Sequence, residues 1–150
     1  MKKTLSLIIA LALTSFAYSG HHKNSEQTPQ DVVTAAYATF ASGDTEGWAA
    51  LHTDDLKFTI TGKLPHSGVF IGTQDVIEGV FTKIPTLWPD FKLTPIHTDV
   101  IGNTVYVHNK MIAGKLESLS MHMFRLRDGK IASFTAFDDT DTMRQTMTTE

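Results

Sequence analysis

From Thr28 onward the apolar positions fall first at helical spacing and later at strand spacing. Val33, Ala36, Tyr37 and Phe40 recur every three or four residues. Thr28-Pro29 supplies a cap followed by proline at the first helical position, and Gly43 supplies a stop, so a first helix is predicted between them. Asp44 predicts the cap of a short second helix carrying Trp48 and Leu51, with Gly47 weakening its first turn. Leu56 to Thr61 alternates as a strand does, and Gly62, Pro65 and Gly68 mark a loop after it. Thr73 predicts the cap of a third helix, whose stripe of Val76, Ile77, Val80, Phe81 and Ile84 ends before Pro85.

Beyond Pro89 the pattern changes to four long β-runs, Phe91 to Ile101, Thr104 to Ile112, Leu116 to Arg127 and Ile131 to Asp138. Gly102-Asn103, Gly114-Lys115 and Asp128-Gly129 join them as hairpin turns. Helices first and an antiparallel meander afterwards predict an α+β domain, with the helices on one face of a curved sheet.

Two-residue turns also fix a register. Across Gly114-Lys115, Met111 should face Ser118, Asn109 Ser120, Val107 His122, and Val105 Phe124. Across Asp128-Gly129, Leu126 should face Ile131, Phe124 Ser133, His122 Thr135, Ser120 Phe137, and Ser118 Asp139. All of these share one face. It is apolar near Val105, Phe124, Leu126 and Ile131 and turns polar toward Asn109, His122, Thr135 and Asp139, which is how a small-molecule pocket is built. The same parity sends Asp138 outward, together with Tyr106, Leu119, Met121, Met123, Phe134 and Ala136. With the helices assigned to the pocket side, that second apolar face calls for a second subunit, so a homodimer through the outer sheet face is expected.

Residues 1–19, MKKTLSLIIALALTSFAYS, combine two lysines, a short apolar run and small residues with Ala17 and Ser19 at cleavage-site spacing. This is the pattern of a secretory signal peptide, and the apolar run is well short of the ~20 residues that cross a bilayer core. The expectation is a periplasmic or secreted protein with no stable membrane anchor, cleaved near Ser19. Residues 20–27 then read as a flexible leader, 28–143 as the domain and 144–150 as a C-terminal tail.

Composition narrows the chemistry. The 150 residues carry 13 Lys+Arg against 16 Asp+Glu, so no basic footprint for nucleic acid is present. The absence of cysteine excludes disulfides, thiolate zinc sites and a cysteine nucleophile. No GxSxG elbow, phosphate-binding glycine loop, dinucleotide fingerprint or HExxH spacing occurs, so neither a metal nor an organic cofactor is expected.

FASGDTEGWAALHTDDLKF, HSGVFIGTQDVIEGVF, LWPDFKL and MFRLRDGKIASFTAFDDT, in that order and spacing, resemble the SnoaL-like branch of the nuclear transport factor 2 and ketosteroid isomerase superfamily. The likeness runs from about Thr28 to Met143. It implies a cystatin-like cone of three N-terminal helices on a strongly curved, mostly antiparallel sheet, usually dimeric through the sheet. It also implies a pocket that takes a small, largely apolar molecule. Similar proteins include isomerases, cyclases, dehydratases, epoxide hydrolases and non-catalytic binders, and the enzymes move a proton with a pocket carboxylate or histidine.

For that task His122 is the first candidate, placed between Val107 and Thr135 on the pocket face. Asp139 stands where similar proteins often end the last strand with an aspartate. At ~3.3 Å per residue it would lie roughly 13 Å from Thr135, too far for a direct pair with His122; its alternative role is to fix the C-terminal segment. Asp54, beside Asp55, lies near where ketosteroid isomerases carry a base, although an aspartate pair also suits an ordinary turn. Asn109, Tyr37, Trp88, Thr135, Phe137 and the loop residue His66 are the expected ligand-binding set, while His52 is expected at a helix end where positive charge is favourable. With no carboxylate placed beside His122, the sequence favours a binding pocket without assigned chemistry over a cofactor-free acid–base enzyme.

Overall fold

The computed structural model describes residues 27–148, so the expected signal peptide and nearly all of the leader lie outside the described residues. The first helix, α1 (Pro29–Ser42), starts at a closed capping box. Thr28 Oγ1 accepts from the Asp31 amide at 3.2 Å, and the Asp31 carboxylate accepts from the Thr28 amide at 2.9 Å. Gly43, with φ 72°, ends the helix in the left-handed conformation. In α2 (Thr45–Ala50) Asp44 accepts from the Gly47 amide at 2.8 Å. A Cβ on Gly47 would stand 2.2 Å from that carboxylate, so the glycine that lowers helix propensity is what lets the cap close.

Strand β1 (His52–Ile60) begins earlier than the alternation suggested, and β2 (Gly68–Ile71) pairs antiparallel with it where a loop was expected. The third helix is segmented. Thr73–Val76 (α3) runs into a π-helical turn, Ile77–Phe81, and a further turn, α4 (Ile84–Leu87), continues past the expected stop because Pro85 falls in its first turn, where no amide is needed. A C-terminal helix, α5 (Thr140–Thr146), was not foreseen; it buries Met143 and extends into the expected tail. Helices therefore arise at both ends of the domain, not at the N-terminal end alone.

The four long runs form β3 (Lys92–Ile101), β4 (Thr104–Ala113), β5 (Leu116–Arg127) and β6 (Lys130–Asp138). Six strands lie in the order β2-β1-β6-β5-β4-β3, with β1 and β6 parallel and the other pairs antiparallel. Helix α1 packs over β3, β4 and β6, and α3 over β1 and β2, so the helices close one side of the sheet.

Between β4 and β5 the register is the expected one, with Val105 opposite Phe124, Val107 opposite His122, Asn109 opposite Ser120 and Met111 opposite Ser118. Between β5 and β6 it holds at Leu126 and Ile131 and then shifts. Arg125 faces Ser133, so Ala132 is an extra residue, a one-residue bulge that reverses every later side chain. Phe124 consequently faces Phe134, His122 faces Ala136, and Ser120 faces Asp138. Phe134 and Ala136 join the buried core, contrary to the outward parity expected for them. Thr135 and Phe137 take the outer parity instead, and the assignment of both to the pocket is corrected.

Candidate functional site

Between the helices and the sheet lies a cavity, partly open to solvent and walled mainly by apolar side chains, among them Phe40, Trp48, Phe58, Phe124 and Phe134. Its polar groups are few: Tyr37 from α1, His52 from β1, His66 from the β1–β2 loop, His122 from β5 and Asp138 from β6.

His122 is the centre of this set. Its Nδ1 is 2.9 Å from the Tyr37 hydroxyl, and its Nε2 is 3.4 Å from Ser120 Oγ and 3.6 Å from Asp138 Oδ1. The last distance is ion-pair spacing rather than a hydrogen bond. The side chains of His122 and Asp138 are 8% and 6% exposed, and Asp138 Oδ1 has no hydrogen-bond partner. Asn109 Nδ2 donates to the Tyr37 hydroxyl at 3.1 Å and to the Val107 carbonyl at 2.9 Å. Burial raises the Tyr37 pKa, against a smaller opposing effect of Asn109, so the phenol stays protonated. When the phenol directs that proton to Nδ1 of His122, the ring proton sits on Nε2. A ring nitrogen and a carboxylate thus stand side by side in the wall of an apolar cavity.

Several expected site residues stand elsewhere. Asp139 is exposed and caps α5, accepting from the Thr142 amide at 3.1 Å and the Thr142 hydroxyl at 2.6 Å; these bonds lower its pKa. It is a structural carboxylate outside the cavity, contrary to the catalytic place expected for it, and its neighbour Asp138 is the one that lines the cavity. Asp54 is exposed on β1, outside the cavity, and Asp55 beside it pairs with Arg127. The irregularity between His52 and Lys57 exposes these two consecutive residues, so Asp54 is no pocket base. Asn109 and Trp88 are buried behind the lining: one holds Tyr37, and the other donates from Nε1 to the Met143 carbonyl at 3.1 Å. Their direct ligand-binding role is replaced by a positioning one.

Tyr37 and His66 do line the cavity. His52 departs from its expected charged role. It is buried, its ring centroid lies 3.9 Å from that of Trp48, and Nδ1 donates to the Trp48 carbonyl at 2.7 Å. Burial lowers its pKa to about 4, so it is neutral at physiological pH. Asp138 is the cavity-lining residue that simple alternation misplaced. The available signal was the spacing of Ile131 and Phe134, two large apolar residues an odd number apart, which strict period-two alternation cannot put on one face. Among the described residues no three His, Asp or Glu side chains converge as metal ligands.

The chain belongs to the SnoaL-like domain family, whose model matches residues 33–134. No curated protein matches it. Solved structures share its fold at low identity. A nuclear transport factor 2-like protein from Burkholderia thailandensis is 23% identical, with a TM-score of 0.75 over 79% of this chain and 96% of the other. TerC, crystallised with polyporic acid, is 22% identical, with a TM-score of 0.71 over 79% and 98%. IdmH from Streptomyces antibioticus, described as a candidate polyketide cyclase, is 20% identical, with a TM-score of 0.68 over 79% and 97%.

Proposed function

We propose that this protein is a cofactor-independent acid–base enzyme that moves a proton on a small, largely apolar carbonyl compound. The reading rests on one observation, the buried Asp138 carboxylate 3.6 Å from Nε2 of His122 at the end of an apolar cavity. With Asp138 Oδ1 making no hydrogen bond, this oxygen is free to accept a proton from a bound molecule, and a His122 N–H beside it is a donor for developing negative charge. In the proposed step the C–H bond beside the carbonyl breaks, its proton passes to Asp138, and its electron pair moves toward the carbonyl oxygen. His122 Nε2–H donates to that oxygen. Returning the proton to another carbon completes an isomerisation; attack by the enolate carbon on a second carbonyl would complete a cyclisation. The printed description of IdmH and the ligand of TerC agree with such a substrate class.

The test is deuterium incorporation next to the carbonyl of β-tetralone in D₂O, followed by proton NMR. Exchange above the buffer rate that is lost in Asp138→Asn supports the reading. Binding without exchange favours the second reading, a non-catalytic binder of the same class of molecule.

Two further parts of the proposal rest on other features. Export rests on the pattern of residues 1–19 and is tested by N-terminal sequencing of native protein. Homodimerisation rests on the apolar outer sheet face, where Leu119, Met121 and Phe137 are exposed.

A further inference from the structure

His66 is a buried histidine that the proton transfer above does not use. It lines the same cavity, is 2% exposed, and its Nδ1 has no hydrogen-bond partner. An uncompensated buried polar atom is costly, so its retention in a cavity wall points to a ligand group. The loop around it is tethered on several sides. The Ser67 amide donates to the Leu64 carbonyl at 2.8 Å, Ser67 Oγ accepts from the Leu64 amide at 3.0 Å, and Lys83 Nζ donates to the Pro65 carbonyl at 3.0 Å. The imidazole stands edge-on to Trp88 at 5.1 Å, and Trp88 is itself fixed by its bond to Met143. This is a placed side chain on a fastened loop.

Burial lowers the His66 pKa, with the Asp138 carboxylate opposing that effect and Lys83 adding to it. Besides the His52 ring, whose Nδ1 is held by the Trp48 carbonyl, the cavity wall offers one carboxylate and two imidazoles. A ligand with a single carbonyl on His122 leaves His66 bare. One with a second oxygen can engage both.

Resting on the proposed carbonyl chemistry, we infer that His66 is a specificity residue that binds a second oxygen of the substrate, selecting dicarbonyl or hydroxycarbonyl compounds over simple ketones. The experiment compares benzoylacetone with butyrophenone, which share an aryl ketone body and differ in the second oxygen, by calorimetric titration of the full mature chain. The diketone is expected to bind wild-type protein about tenfold more tightly, the scale of one buried hydrogen bond. His66→Phe keeps an aromatic ring against Trp88 and should reduce that ratio to about one, chiefly through loss of diketone affinity. His66→Gln, which restores a polar group, should recover part of the ratio and guards against a misfolded His66→Phe. A ratio near one in wild-type protein, or one that survives in both variants, overturns the role of His66 and leaves the acid–base reading standing if β-tetralone still exchanges. Failure of both ketones to bind overturns the inference, and absence of β-tetralone exchange as well overturns the reading beneath it.

Discussion

The carboxylate of Asp138 stands 3.6 Å from Nε2 of His122 because β6 carries one more residue than β5 between Ile131 and Ser133. Ala132 absorbs the mismatch, and everything after it turns over. Without the reversal Asp138 would face outward and Asp139 would take its place. The bulge thus frees Asp139 to cap α5 while Asp138 enters the cavity, so two adjacent aspartates stand in separate places, one at a helix cap and one in the cavity wall.

Asp138→Asn keeps the shape of the side chain and removes the base. Exchange of β-tetralone should fall on the order of 10²–10⁴-fold, the usual contribution of a positioned general base. Asp54→Asn and Asp139→Asn should leave the rate near wild type, since both residues are exposed outside the cavity. NMR exchange rates on the three variants check this. A large loss in Asp54→Asn would contradict the assignment.

Tyr37→Phe tests the tautomer argument. The phenol gives Nδ1 its partner, and the proposed step needs it to donate there so that the ring proton sits on Nε2. Without it both tautomers of His122 become accessible, and kcat should drop roughly tenfold, the effect of about 1.4 kcal/mol, with little change in KM. Nitrogen NMR of the His122 ring should show Nε2–H dominant in wild-type protein and a mixture in the variant.

Deleting Ala132 should leave a regular ladder with the same later partners, because the remaining residues still place Phe134 opposite Phe124 and Asp138 opposite Ser120. Exchange activity should therefore survive well above that of Asp138→Asn, with some loss of stability from the altered contact with β1 near His52. Activity as low as in Asp138→Asn would show that the deletion turns Asp138 outward. Steady-state rates and urea unfolding decide between these.

Much of this fold was legible from spacing. The hairpin between β4 and β5 was readable because both strands alternate without interruption around Gly114-Lys115, and this placed His122 and Asn109 on the inner face. At β6 the same logic failed, because a bulge is a local exception to period two and only the odd interval from Ile131 to Phe134 betrays it. Strand β2 was missed because it is a short exposed edge with glycine at its start, indistinguishable locally from a loop. A place at a helix end favours positive charge on His52, whereas its burial is produced by packing against Trp48 and the cavity wall. Burial arising from distant contacts leaves little trace in a local window.

That burial makes His52 a pH-dependent element of stability. Its pKa is lowered to about 4 in the folded chain from an ordinary 6.5, so both states are neutral above that ordinary value. As pH falls from there toward 4, the unfolded chain takes up a proton that the folded chain refuses, and stability is lost by ~1.4 kcal/mol per pH unit. His66, lowered by burial in the same direction, adds to the slope. Carboxylates with lowered pKa contribute at more acidic pH, so the measurement is a difference. Urea unfolding between pH 7 and pH 4.5 should show a shallower loss in His52→Gln than in wild-type protein.

The outer sheet face remains apolar after the bulge is taken into account. Met121 and Phe137 are cross-strand partners, 40% and 49% exposed, with Leu119 at 52% on the same side of β5. Contiguous apolar side chains on a sheet are costly to leave in water, and a self-complementary two-fold contact would cover them with a second copy of the same surface. Met121→Glu would bring like charges toward one another across such an axis and bury them without partners. Wild-type protein is therefore expected to sediment as a dimer at micromolar concentration, and Met121→Glu as a folded monomer with its cavity intact. A monomeric wild type under those conditions would remove the dimer from the proposal, while leaving the His122 and Asp138 geometry, which lies within one chain, unaffected.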